Sequence, residues 1–425
     1  CVEGRSMFGK YLACVALGLL MLAVPAAADD RLVDGVPLPS DAHLAAASPG
    51  SALQRQWSGV WVGAWGGTLK HILLVESVAE DGAARVVYAV GDRPGAQGRW
   101  LRLEGMASER SLNVRGANFS ASYELSDSGR LKARFQFGDN VSRASMTRAD
   151  FASLTKPDAV VAWTRAKSEL LETDLIEDGR PVRLEVVMFK PDGAGPFPLA
   201  VINHGSTGGG RDPAVAKQTW FAADLADFLN ERGWMVAFPQ RRGRGRSDGL
   251  YDEGFSENRK LGYACDTGLS LRGADRALSD VDAAIAALRR RPDVAPPPVL
   301  IGGQSRGGVL AVAYAGLNPT QIFGVINFVG GWLDEACSSA GAVNRTLFER
   351  GAHYGRPTIW LYGQGDLFYS IAHSRSNFAA FEKAGGQGTF FEFGPNPGHF
   401  VFRDPDLWSG PIGKYLDSLG NMEAH

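Results

Sequence analysis

Ser305 stands at the centre of Gly303-Gln304-Ser305-Arg306-Gly307, a G-x-S-x-G pattern with a glycine two residues away on either side. It follows the apolar run Val299-Leu300-Ile301 and precedes a helical run from Gly308 to Leu317. In a sharp strand-to-helix turn, a side chain at Gly303 or Gly307 would collide with neighbouring backbone. Such a turn holds the serine Oγ clear of the strand and places the positive end of the helix beneath it. That arrangement suits nucleophilic attack on a carbonyl. It then requires a base and an acid to orient the base. His399, in Gly398-His399-Phe400, follows the apolar segment Thr389 to Phe393, and Asp366, in Gly363-Gln364-Gly365-Asp366, follows Thr358 to Tyr362. The chain order Ser305, Asp366, His399 reads as nucleophile, acid and base, with Asp366 expected to fix the imidazole tautomer and stabilise the imidazolium. Asp334 and Asp404 are the alternative acids; Asp404 precedes Pro405 and reads as a helix cap.

Attack on a carbonyl leaves an oxyanion, which needs N–H donors. The backbone N–H of Arg306 is one expected donor. The other should come from His204-Gly205-Ser206-Thr207-Gly208-Gly209-Gly210, which follows the apolar run Leu199 to Asn203. Its glycines let amides turn toward the substrate oxygen; the Ser206 N–H is the expected donor, with Thr207 next. His204 is expected to hold this loop by hydrogen bonds. The run lacks the Lys-Ser/Thr ending of a phosphate-binding loop.

The elements that must position these residues alternate between strand and helix. Expected strands are Leu184 to Phe189, Leu199 to Asn203, Met235 to Phe238, Val299 to Ile301, Phe323 to Phe328, Thr358 to Tyr362 and Thr389 to Phe393. Between them lie helical patterns over Gln218 to Arg232, Ala274 to Arg290, Gly308 to Leu317 and His373 to Ala384, with a last helix around Trp408 to Leu419. This alternation predicts a mostly parallel sheet with helices on both faces. The preceding part differs. Short β-rich segments at 59–63, 71–75, 85–90, 100–103, 120–125 and 131–137, separated by turns such as Glu80-Asp81-Gly82, predict a small antiparallel sandwich or barrel over 53–150. Residues 151–174 read as a helical linker, helical from Ala159 to Leu171, and 29–52 as a flexible arm.

Taken together, residues 175–425 resemble an α/β hydrolase, nearer the dienelactone-hydrolase and prolyl-oligopeptidase-like branches than the lipases. The resemblance rests on His204-Gly205, the segment Arg242-Gly243-Arg244-Gly245-Arg246-Ser247-Asp248-Gly249, the serine turn, Gly365-Asp366 and Gly398-His399. It implies hydrolysis of a small-molecule ester or amide through an acyl-enzyme. Dienelactone hydrolases proper use cysteine where this chain has Ser305, which favours esters or amides of other acids. A serine peptidase or acyltransferase would use the same residues. A binding protein with an inert hydrolase fold is the alternative from another class.

Two long segments, Arg241 to Gly273 and Gly330 to Arg356, leave strand ends where ligands bind in open α/β sheets. A disulfide between Cys265 and Cys337 is expected to tie them together. Trp332, Phe255, Tyr263, Phe368 and Phe400 are candidates for an apolar acyl pocket, set against ordinary packing. Arg241, Arg242, Arg244, Arg246 and Arg306 are candidates for a substrate carboxylate, set against structural salt bridges.

The chain start reads as a signal peptide over residues 1–28. Met7 is the apparent initiator, Lys10 supplies the positive region, Leu12 to Val24 is apolar, and Pro25-Ala26-Ala27-Ala28 provides a cleavage site. A retained anchor is the alternative; Tyr11 argues against a lipoprotein signal. The expectation is a periplasmic or secreted protein with no stable membrane span after cleavage. A net charge of −2 with no basic run speaks against nucleic acid. No HExxH or paired CxxC occurs, so neither a metal nor another cofactor is implied.

Overall fold

The computed structural model describes residues 30–44, 52–93, 95–138, 140–154, 156 and 161–423. The expected signal peptide over 1–28 lies outside the described residues. Two compact units divide the chain, Cys1–Arg165 and Ala166–His425. Among the described residues, no helix is long and apolar enough to cross a membrane.

In the first unit, β1 (Arg31–Val33) and β2 (Val36–Leu38) pair antiparallel across Asp34-Gly35, where φ is 46° and 82°. Positive φ at both central residues is the tight hairpin turn that Asp-Gly favours. The flexible arm expected over 29–52 is therefore corrected for its described part. Val33, Val36 and Leu38 bury against Val60, Val62, Ile72 and Leu74, and this burial orders a segment whose composition reads as loop.

After a short helix at Ala52–Trp57, eight strands follow: β3 (Gly59–Trp65), β4 (Leu69–Val78), β5 (Ala83–Val90), β6 (Arg99–Ala107), β7 (Ser111–Arg115), β8 (Ser120–Leu125), β9 (Leu131–Phe137) and β10 (Asn140–Ala149). They close into an antiparallel barrel as β10 pairs with β3. Gly63 permits this closure, since a Cβ there would meet Ser145 O at 2.8 Å. β7 and β10 are too polar to be legible from apolar alternation. Their partners supply the ladder.

His71 on β4 is fully buried beside Trp65 and Tyr88. Its Nδ1 lies 2.8 Å from Ala89 O and its Nε2 3.0 Å from the Tyr123 hydroxyl, which one neutral tautomer satisfies. Burial pushes its pKa down to about 3. A depressed folded value means a stabilising contribution that is present above the unfolded value of about 6.5 and lost as pH falls toward 3. The His71 ring resonances are therefore expected not to titrate between pH 8 and 5. An NMR titration midpoint near 6.5 would contradict this.

The second unit opens with β11 (Lys167–Glu177) and β12 (Arg180–Phe189), joined at Asp178-Gly179 with φ of 50° and 73°. This corrects the helical linker expected over 151–174. Among the described residues of that stretch only Phe151–Leu154 is helical, and Lys167–Glu177 is strand; Ala159 and Val160, where the expected helix begins, lie outside the described residues. The Glu-Leu-Leu-Glu run has helix propensity. Leu171 is nevertheless buried with Thr173 and Leu175 half-buried on alternate positions, and β12 offers a complete ladder partner.

The other strands are β13 (Leu199–Asn203), β14 (Met235–Pro239), β15 (Val299–Gln304), β16 (Ile322–Phe328), β17 (Pro357–Gly363) and β18 (Gln387–Phe393). The sheet order is β11-β12-β14-β13-β15-β16-β17-β18. The pairs β11/β12 and β12/β14 are antiparallel, and the remaining pairs are parallel. Helices at Ala223–Asn230, Thr267–Arg289, Arg306–Leu317, Ala340–Gly351, Ile371–Lys383 and Pro405–Glu423 share one apolar core with these strands. Chain order and spatial order part at β13, which lies between β14 and β15. This brings the loops after β13 and β15 side by side, as ligand-binding crevices of open sheets require.

Candidate active site

The turn after β15 has the tight geometry that its glycines allow. A Cβ at Gly303 would lie 2.3 Å from Gly307 C, and one at Gly307 would lie 2.1 Å from Asn203 O. Ser305 adopts φ 56° and ψ −121°, a conformation unusual for a residue with a side chain. Its main chain is held on both sides. The N–H donates to Phe328 O at 2.9 Å, and the carbonyl accepts from Gly308 N at 2.9 Å and Gly331 N at 3.2 Å. The helix Arg306–Leu317 begins at the next residue.

Asp366 and His399 are brought together from the ends of β17 and β18. His399 Nδ1 lies 2.8 Å from Asp366 Oδ2. Asp366 Oδ1 accepts from the backbone N–H of Phe368 at 2.8 Å and of Tyr369 at 3.2 Å. These donors suit an ionised carboxylate and fix its plane, so the imidazole carries its proton on Nδ1 and leaves Nε2 as the basic nitrogen. The two loops are zipped together: Gly398 N donates to Gln364 O at 3.0 Å. Gln304, beside Ser305, donates to the His399 carbonyl at 3.4 Å. Among the described residues no direct Ser305–His399 hydrogen bond is formed; such contacts often tighten only with substrate bound. The alternative acids serve turns. Asp334 accepts from Ala336 N at 2.8 Å and Asp404 from Asp406 N at 3.2 Å.

The loop after β13 lies directly on the elbow, for a Cβ at Gly205 would meet Ser305 Cβ at 3.1 Å. The Thr207 N–H is already committed to the Tyr263 hydroxyl at 3.1 Å. Among the described residues the N–H groups of Ser206 and Arg306 donate to no acceptor. His204 is wholly buried. Its Nδ1 meets Gly205 O at 2.7 Å, and its Nε2 accepts from Arg241 N at 3.1 Å. Burial, reinforced by Arg241 and Arg244, holds its pKa well below the ordinary value, so it is a neutral brace for the loop.

Beneath the elbow lies a buried ionic network absent from the sequence reading. Glu253 takes Arg241 Nε on Oε1 at 2.5 Å, with Arg306 Nη1 at 3.3 Å and the Tyr251 hydroxyl at 2.9 Å on Oε2. The Arg306 guanidinium also donates to Trp332 O at 2.9 Å and lies 3.6 Å and 4.4 Å from the ring centres of Tyr263 and Trp332. Burial would raise the Glu253 carboxyl, but Arg241 and Arg306 outweigh it and hold it below the usual range.

Of the two readings of the arginines, substrate carboxylate or structural salt bridge, the structure supports the salt bridges. Arg241 and Arg306 pair with Glu253, Arg242 with Asp280 and Arg246 with Glu185. Arg244 donates to Val215 O at 2.8 Å. Of the candidate pocket aromatics, Trp332 and Tyr263 clamp Arg306, and Phe255 packs on Tyr263 at 4.7 Å. Phe368 and Phe400 flank the His399 ring at 4.7 and 5.9 Å, beside exposed Leu367. Cys265 and Cys337 form a disulfide with Cα atoms 5.3 Å apart across 72 residues, joining the segment that carries Tyr263 to the one that carries Trp332. Among the described residues no group of three or more His, Cys, Asp or Glu is placed to hold a metal ion.

A family model described as serine aminopeptidase, S33, matches residues 215–343. No curated protein matches the chain. Similar solved structures include Est1E of Butyrivibrio proteoclasticus with ferulic acid bound, at 17% identity, covering 59% of this chain and 98% of that one with a TM-score of 0.42. An esterase of Pyrococcus furiosus is 15% identical over 62% of this chain and 95% of that one, TM-score 0.43. Acetyl xylan esterase 1 of Thermoanaerobacterium is 17% identical over 60% and 88%, TM-score 0.39. The strand order and the elbow at Ser305 have the form of the α/β-hydrolase fold, and the family match over residues 215–343 supports a serine hydrolase of that superfamily.

Proposed function

We propose that the protein is an exported esterase that cleaves a small carboxylic ester through an acyl-enzyme on Ser305. The observation that carries this reading is the strained serine set against Gly205 at one side, with the Asp366–His399 pair held on neighbouring strand ends. Ser305 Oγ attacks the ester carbonyl while His399 Nε2 takes its proton. The Ser206 and Arg306 amides receive the oxyanion. The tetrahedral intermediate collapses as His399 returns the proton to the leaving alcohol, and water then attacks the acyl-enzyme with the same imidazole as base. Asp366 keeps its charge throughout and supports the imidazolium.

A second reading, amide cleavage by the same residues, is favoured by the description of the family model. A panel of p-nitrophenyl esters of rising acyl length, run beside aminoacyl p-nitroanilides, separates the two. Ester turnover exceeding anilide turnover by 10²-fold or more is the expected result on the order of enzyme specificity ratios; the reverse ranking would make the chain a peptidase. Fluorophosphonate labelling distinguishes both from an inert binding protein, which would stay unlabelled while folded. Export is supported by the Cys265–Cys337 bridge, because such bonds persist in oxidising compartments. Cell fractionation with N-terminal mass analysis checks it: the expected product begins near Asp29 and lies outside the cytoplasm.

A further inference from the structure

One hydroxyl beside the nucleophile has no part in that scheme. Tyr369 lies three residues after Asp366 and is 4% exposed. Its backbone N–H is one of the two donors that hold Asp366 Oδ1, so the tyrosine is fixed to the same turn as the acid. Its ring lies 5.6 Å from the His399 ring and 6.2 Å from that of His373. The opposite support is Gly331. A Cβ there would come 2.5 Å from the Tyr369 ring, and the Gly331 N–H donates to the Ser305 carbonyl at 3.2 Å. The ring atom nearest that position is Cζ, which bears the hydroxyl, so the phenol end of the ring lies against the residue that holds the Ser305 main chain. Burial raises the phenol well above its ordinary range, so it stays protonated and remains a donor wherever the enzyme works.

We propose that Tyr369 is a further catalytic residue whose hydroxyl donates a hydrogen bond to Ser305 Oγ, orienting it for attack and supporting it as the leaving group when the acyl-enzyme breaks down. The inference rests on the acyl-enzyme reading above. No proton leaves the tyrosine. In acylation the Oγ proton passes to His399 as the Oγ–C bond forms. In deacylation the C–Oγ bond breaks, its electron pair stays on Oγ, and His399 returns a proton there. A fixed donor on Oγ contributes most in that second step, when Oγ gains charge. In acylation the same bond draws charge from the nucleophile, and this offsets part of what orientation contributes.

Tyr369→Phe keeps the ring on Gly331 and removes only the hydroxyl. Deacylation is expected to slow about 10- to 100-fold, as for loss of one hydrogen bond to a developing charge. With p-nitrophenyl acetate, stopped-flow should show a p-nitrophenol burst approaching one per active site, followed by a reduced kcat and an unchanged melting temperature. A merely structural role would lower stability without accumulating acyl-enzyme. The inference is overturned by a variant whose kcat and burst match the wild type, or by a fall in kcat without a burst. Failure of the underlying reading looks different: Ser305→Ala would then turn over substrate as the wild type does, and the wild type would resist fluorophosphonate.

Discussion

Ser305→Ala is expected to lower ester turnover by about 10⁴-fold or more while leaving the protein folded. The residue's main-chain bonds to Phe328, Gly308 and Gly331 do not involve Oγ and survive the change. What remains should be the small acceleration that two oxyanion donors and substrate binding supply without a nucleophile. The check has two parts: the specific rate of purified variant against p-nitrophenyl esters, and its melting curve. Undiminished rate in a folded variant would remove Ser305 from the chemistry. An unfolded variant is not expected, since alanine occupies the same backbone conformation with one atom fewer.

Glu253→Ala is expected to destabilise the second unit by roughly 3–5 kcal/mol, the range for breaking a buried ion pair at one partner. The size follows from what is left behind. Arg241 is 2% exposed, as is Arg306, and both lose the carboxylate between them. Arg241 also carries hydrogen bonds to the His204 carbonyl at 3.0 Å and the Gly205 carbonyl at 3.4 Å, so its displacement loosens the loop against the elbow. Denaturant titration should show the lowered midpoint, and activity measured well below that midpoint should fall as well. The same pair sets a pH dependence. Because the folded Glu253 carboxyl is held below its unfolded value near 4.5, its contribution is present above that pH and disappears as pH falls through the folded value. Equal midpoints for wild type and variant at pH 7 would show that the network carries no stability.

Chemistry-bearing residues were legible because their local spacing is itself a geometric constraint. Gly303 and Gly307 announce a turn where no Cβ fits, and the run of apolar segments ahead of Asp366 and His399 announces strand ends. Errors fell where tertiary pairing overrode local preference. Leu170 and Leu171 sit in a helix-favouring run yet form a strand, because β12 completes the ladder. The Asp34-Gly35 and Asp178-Gly179 turns were signals that composition masked; an Asp-Gly pair is a hairpin cue at both sites, between Val33 and Val36 at the first and between Glu177 and Arg180 at the second. The loop after β13 offered Ser206 and Thr207 as candidate oxyanion donors, and the Tyr263 hydroxyl on the Thr207 amide is what separates them.

The amino-acid order alone determined the division into a β-rich part and an alternating strand–helix part, the elbow around Ser305, and the order in which Ser305, Asp366 and His399, the proposed nucleophile, acid and base, follow one another at strand ends. These follow from periodicity and from steric limits that act within a few residues. Tertiary structure alone decided that β10 closes on β3 to make a barrel, that the arginines serve Glu253, Asp280 and Glu185 instead of a substrate carboxylate, and that the Tyr369 ring lies on Gly331 beside the elbow. Each of those depends on which distant segments meet. A buried charge takes whichever opposite charge folding brings within reach, and nothing in the spacing of Arg241, Glu253 and Arg306 along the chain states that they converge.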